Sequence, residues 1–77
     1  MARIRSLKQG IGEARAHPTE VDCEYRVISD GKNNLLQLST FGSDVRASGP
    51  KVSQTIQFDR RTAEQLVEVI RRAFPGQ

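Results

Sequence analysis

The clearest hydrophobic pattern lies near the end of the chain. Ala63, Leu66, Val67, Ile70, Ala73 and Phe74 recur at three- and four-residue spacing, which puts them on one side of a helix. Asp59 precedes them as an N-cap, its carboxylate able to accept an orphan backbone N–H of the first turn. Arg71 and Arg72 fall in the last turn, where the helix dipole favours cations, and Pro75 and Gly76 stop the element. Upstream the period changes from helical to two. In residues 51–58 Val52, Ile56 and Phe58 point one way, with Gln54 a polar exception, and Ser53, Thr55 and Gln57 point the other. In residues 35–41 Leu36, Leu38 and Thr40 alternate with Leu35, Gln37, Ser39 and Phe41. In residues 21–29 Val21, Cys23, Tyr25 and Val27 alternate with Asp22, Glu24 and Arg26, the pattern of a half-buried strand. Asp30, Gly31, Lys32 and Asn33 form a turn signal between the last two strands, with Gly31 supplying positive φ, so these strands pair as an antiparallel hairpin.

The segments outside these runs are less regular. Residues 42–50, small and polar with glycine near both ends and Pro50 closing, read as an exposed loop carrying Asp44 and Arg46. At the N-terminus Ile4, Leu7, Ile11 and Ala14 have helical spacing, but Gly10 and Gly12 oppose a helix by about 1 kcal/mol each. A short strand around residues 10–14 behind a basic arm competes with that helix. His17 before Pro18 then interrupts any regular structure. The expected fold is α+β: three to four antiparallel strands followed by one C-terminal helix laid across a sheet face. It makes one small domain over residues 1–77, in which residues 1–9 form a basic arm.

Size changes what this pattern requires. A chain of 77 residues buries only about 60–65% of its unfolded surface, so its own core is marginal. Cys23 is the single cysteine and cannot staple the fold internally. His17 and Cys23 are the only soft or borderline metal ligands, and no metal or other cofactor is implied. A second copy of the chain is the simplest source of further apolar burial, so a homodimer is expected. No apolar run approaches the ~20 residues of a membrane span, and the charged start MARIRSLKQ has no apolar signal region. With a free cysteine these features point to the cytoplasm.

Chemistry is sparse. Cys23 and His17 lie six positions apart across a proline break; Cys23 alternates in phase with Val21 and Tyr25 as a small core residue, and His17 sits in a polar loop. Asp22 and Glu24 share a strand face without an apolar pocket to perturb them, and Glu64 and Glu68 belong to a solvated helix face. No glycine-rich phosphate loop is present, and an enzyme is not expected. Binding is better supported. With 12 Lys+Arg against 9 Asp+Glu the net charge is +3, compatible with a polyanion. The strand face of Gln37, Ser39, Phe41, Ser53, Thr55 and Gln57 is polar with one aromatic at its edge. Arg26, Lys32, Arg46 and Lys51 lie close to it in sequence. Such a face suits an unpaired nucleic-acid strand, whose phosphates meet cations while bases stack on aromatics; the same pattern also describes an ordinary solvated sheet face. Likewise Arg3, Arg5, Lys8 and Arg15 make either a nucleic-acid arm or a solvated terminus.

The order of segments resembles the positive-cofactor-four family of single-stranded-DNA-binding transcriptional coactivators, in particular its short bacterial members. GIGEAR matches as a first strand, VDCEYRVISDG as strand and turn, NLLQLSTFG as the third strand, and KVSQTIQFDRRTAEQLVEVI as the last strand and helix, together covering roughly residues 9 to 72. Phe41 stands where bacterial members often carry a tryptophan. The resemblance implies a homodimer built around the helices, with strands of both subunits forming a channel for unpaired DNA. By position it assigns phosphate contacts to Arg3, Arg5, Lys8, Arg26, Lys32, Arg46 and Lys51. Phe41 would stack on a base, while Gln37, Ser39, Ser53 and Thr55 would offer hydrogen bonds, with little sequence preference. The alternative is a protein-interaction module, an accessory or inhibitor subunit that binds no nucleic acid.

Overall fold

A computed structural model describes residues 1–42 and 51–76. Five elements follow one another: β1 (Ala2–Arg3), β2 (Cys23–Ser29), β3 (Asn34–Phe41), β4 (Val52–Phe58) and α1 (Arg60–Ala73). The strands form one sheet in the order β1-β4-β3-β2, an α+β arrangement with a single C-terminal helix. The β2–β3 and β3–β4 pairs are antiparallel as expected. β1 is not: it runs parallel to β4, with Ala2 beside Ile56 and Arg3 beside Gln57, so the sheet is mixed. The first strand therefore lies at the start of the chain and not at residues 10–14, which have no strand or helix.

The hairpin forms where the turn residues place it. Asp30 Oδ1 accepts the backbone N–H groups of Lys32 (3.0 Å) and Asn33 (2.8 Å), and Gly31 takes φ 100°, a conformation that favours glycine. These hydrogen bonds, with help from nearby Arg3, hold the Asp30 carboxyl below its ordinary value. The helix start is equally local. Asp59 Oδ1 accepts the Thr62 N–H at 2.9 Å while Thr62 Oγ1 accepts the Asp59 N–H at 3.1 Å, a reciprocal capping box. Thr62 is wholly buried, and Arg71 and Arg72 occupy the last turn as expected.

Hydrogen bonds from Thr62 hold the Asp59 carboxyl below the ordinary 3.8, with Arg61 and Arg3 adding to the effect. A depressed folded value means that this contribution is complete above the unfolded value and is lost as pH falls through the folded one. Asp59→Ala is expected to lower the melting temperature at neutral pH, on the order of 5 °C. Thermal melts followed down to about pH 2.5 should show the gap between variant and parent closing.

Packing departs from the sequence expectation more than topology does. Among the described residues only Leu35 and Phe58 are buried apolar side chains, at 5% and 4% exposure. The helix does not lie across the sheet. Ala63 lines a common recess with Val27, Leu36 and Phe58, and Leu66 is half-buried, but beyond them Val67, Ile70 and Phe74 are exposed, Phe74 by 74%. Phe74 is thus not core. On the sheet Tyr25 and Val27 keep the expected alternation but remain 72% and 64% exposed, and Cys23, expected inside, is exposed too. Among the described residues the apolar side is covered only in part: Phe58 is buried beside Ala63, as is Leu35 of the opposite parity, while Tyr25 and Val27 stay exposed.

Candidate nucleic-acid interface

Register brings residues from all four strands into rows across the sheet. On the face away from the apolar rows, Arg26 of β2 pairs with Gln37 of β3, Gln37 with Gln57 of β4, and Gln57 with Arg3 of β1. Paired residues project from the same side of a sheet, so this row carries two central amides between Arg26 and Arg3, the Arg3 guanidinium reaching toward Asp30 of the hairpin turn. The next row is Glu24, Ser39 and Thr55. Gln57 Nε2 donates to Gln37 Oε1 at 2.8 Å, and the Ser39 and Thr55 hydroxyls are 3.2 Å apart. Gln37, Ser39, Thr55 and Gln57 are half-buried. The opposite face carries Cys23 beside Thr40 and Gln54, Tyr25 beside Leu38 and Ile56, and Val27 beside Leu36 and Phe58.

The rows end where the register shifts. Thr40 pairs with Gln54 but Phe41 pairs with Val52, so Ser53 is passed over. Phe41 is half-buried there, its N–H donating to the Asp22 carbonyl at 3.1 Å, and Gly42 N–H donates to the Lys51 carbonyl at 2.9 Å. Phe41, Ser53 and Lys51 therefore gather at one end of the polar face, with Lys51 exposed.

The cations divide into two groups. Arg26 is 68% exposed and its Nη2 lies 3.5 Å from Glu24 Oε1; Arg3 is 52% exposed with Nη2 3.8 Å from Asp30 Oδ2. Exposed pairs of this kind are worth about 0–1 kcal/mol, so a phosphate could displace either carboxylate at little cost. Lys32 sits in the hairpin turn next to this end of the sheet. Arg5 and Lys8 are not on the sheet. The Arg5 carbonyl accepts from Arg61 Nη2 at 2.8 Å, and Lys8 lines a cleft with Leu7, Gln65, Glu68 and Arg72, so the arm follows the helix. Arg46 lies outside the described residues.

Four participants lie outside the residues that sequence reasoning assigns to the site. Gln57 belongs to the polar face that the alternation predicts but not to the predicted contacts, although it completes the central amide pair. Glu24 stands in the next row beside Arg26, a placement already contained in the alternation of residues 21–29. Arg60 and Arg61 join Arg3, Asn33, Asn34 and Asp59 around a recess at the helix start; only the pairing of β1 with β4 brings these segments together, and no local pattern announces it. Among the described residues no group of three His, Cys, Asp or Glu side chains is arranged to hold a metal, and no helix is long and apolar enough to cross a membrane.

Fold and surface thus define a small α+β protein with one polar, cation-flanked sheet face and one apolar face that is covered in part. No protein-family model, curated protein or solved structure matches the chain.

Proposed function

We propose that this protein binds single-stranded nucleic acid, DNA in the first instance, without catalysis, through the polar sheet face of a homodimer. It would act in transcription, replication or repair in the cytoplasm. The observation that carries the binding reading is the row Arg26–Gln37–Gln57–Arg3: hydrogen-bonding amides between two arginine positions, with the Arg3 guanidinium at the hairpin turn, suit a strand with both phosphates and unpaired base edges. Phe41 at the end of the face offers a stacking surface, and Lys51 and Lys32 extend the cationic margin. The order of β2, β3, β4 and α1 is compatible with the resemblance to the positive-cofactor-four family, whereas residues 10–15, its first strand, form no strand here.

The dimer rests on surface area. A compact 8.6 kDa monomer should expose about 4,700 Å², whereas this chain exposes 7133 Å². Apolar side chains contribute to it, Tyr25 and Val27 on the sheet and Val67, Ile70 and Phe74 on the helix, as do the exposed residues 8–22. A standard interface takes about 800 Å² from each partner, well within that excess. The same surface also favours a second reading, in which a different protein occupies it and the chain is an interaction module.

The direct test is fluorescence anisotropy of a labelled ~20-nucleotide single strand at two salt concentrations, with a duplex of the same sequence as control. Salt-sensitive binding that prefers the single strand is expected. No binding at low salt would discard the nucleic-acid reading and favour the interaction module.

A further inference from the structure

We propose, building on the homodimer reading above, that two copies of the chain join edge to edge through β2, with Tyr25 lying opposite the partner's Tyr25. β2 ends the sheet and, among the described residues, pairs with β3 alone, so its outer backbone is open over seven residues. The pairing with β3 fixes which backbone groups face outward. The Asp22 carbonyl accepts from Phe41 N–H at 3.1 Å and Asp30 N–H donates to the Asn33 carbonyl at 3.0 Å, both in the register that sets Tyr25 beside Leu38. Backbone groups of alternate residues point to opposite sides of a strand. Even positions therefore serve β3, while Cys23, Tyr25, Val27 and Ser29 turn their N–H and C=O groups to the open edge. Soluble proteins blunt such an edge with proline, lysine or a bulge. β2 has none of these: CEYRVIS pairs with β3 without a register shift.

The charges on β2 select the register. With Tyr25 on the two-fold axis, Glu24 falls opposite the partner's Arg26, and Arg26 opposite the partner's Glu24, on the polar face. Glu24 and Arg26 already lie 3.5 Å apart within one chain, so the four side chains alternate in sign across the seam. Centring the pair on Arg26 or on Glu24 instead sets like charges directly opposite each other, which destabilises a sheet. Centring it on Cys23 sets Glu24 against Asp22, and centring it on Val27 shortens the overlap and leaves Arg26 beside Ile28. On the apolar face Tyr25 and Val27, 72% and 64% exposed in one chain, gain cover at the seam. The axis runs perpendicular to the sheet, so two four-stranded sheets become one with both polar faces on the same side. The partner thereby lengthens the surface along which a nucleic-acid strand can lie.

Disulfide trapping reads the register. Residues opposite each other in this pair have Cα atoms about 5.5 Å apart, within disulfide reach, whereas Cys23 and the partner's Cys23 lie about 14 Å apart. On oxidation with glutathione disulfide, Cys23→Ser/Tyr25→Cys is expected to give about tenfold more covalent dimer than the parent or Cys23→Ser/Val27→Cys. Glu24→Arg should weaken association about tenfold in sedimentation equilibrium, and Glu24→Arg/Arg26→Glu should restore it. A parent dimer in which position 25 crosslinks no better than position 23 or 27, or whose association Glu24→Arg leaves unchanged, overturns edge pairing and leaves the homodimer standing. A parent that is monomeric at tens of micromolar overturns both proposals. The charge reversal decides the question even if the Tyr25 variant does not fold, because the Glu24 and Arg26 side chains are 57% and 68% exposed.

Discussion

Ile70→Asp is expected to convert the protein from a dimer to a monomer that is largely unfolded at micromolar concentration. Ile70 is 48% exposed in the single chain and lies on the stripe of Ala63, Val67 and Phe74, of which Ala63 lines a recess with the sheet. In the dimer proposed here that stripe is covered by the second copy. An aspartate placed there loses the apolar burial and adds a carboxylate that must be desolvated without a partner, together about 3 kcal/mol per chain. Each dimer carries the substitution twice, so association should weaken about ten-thousand-fold. Sedimentation equilibrium reads the mass and far-UV circular dichroism reads the fold. Glu64→Gln is the control: its side chain is 72% exposed and pairs with Arg60 at 3.5 Å, and it should leave the dimer intact. A parent protein that sediments as a monomer at tens of micromolar would contradict the dimer, and an unchanged Ile70→Asp mass would move the interface away from the helix.

This expectation also explains which parts of the structure could be read from residues alone. The capping box and the Asp30–Gly31 turn were legible because each is settled within three or four residues by hydrogen bonds the side chains make to nearby backbone. The antiparallel order of β2, β3 and β4 followed from alternation plus one turn. The polar face was legible in the same way, since Gln37, Ser39, Thr55 and Gln57 differ from their neighbours in parity. The parallel pairing of Ala2–Arg3 with Ile56–Gln57 was not, because two residues are too few to alternate and their partners lie more than fifty positions away. Nor could the pattern tell that Cys23, Tyr25 and Phe74 would be uncovered. Periodicity identifies the side of an element that gains from burial, whereas what buries it depends on the lever arm between strand and helix. Here the helix leaves the sheet after its first two turns, and the apolar residues beyond that point face outward.

Arg26→Gln is expected to weaken single-strand binding about fifty-fold at 50 mM salt and to flatten its salt dependence. The side chain ends the amide row, is 68% exposed and pairs with Glu24 at 3.5 Å, so the substitution removes a charge without opening a cavity. On single strands each neutralised phosphate contributes about 0.7 to the slope of log affinity against log salt. In a dimer whose two polar faces share one strand, losing Arg26 from both removes two contacts and makes the slope shallower by about 1.4. Lys51→Gln, exposed at the Phe41 end of the face, should act similarly. Arg71→Gln, 74% exposed beside Glu68 on the helix, should leave the slope unchanged because it lies off the polar face. The slope matters more than the affinity: a variant that only loosened the fold would weaken binding at every salt concentration by a similar factor. If Arg26→Gln and Arg71→Gln flatten the slope equally, the contacts follow net charge and not this face; if neither changes it, the phosphates lie elsewhere on the molecule.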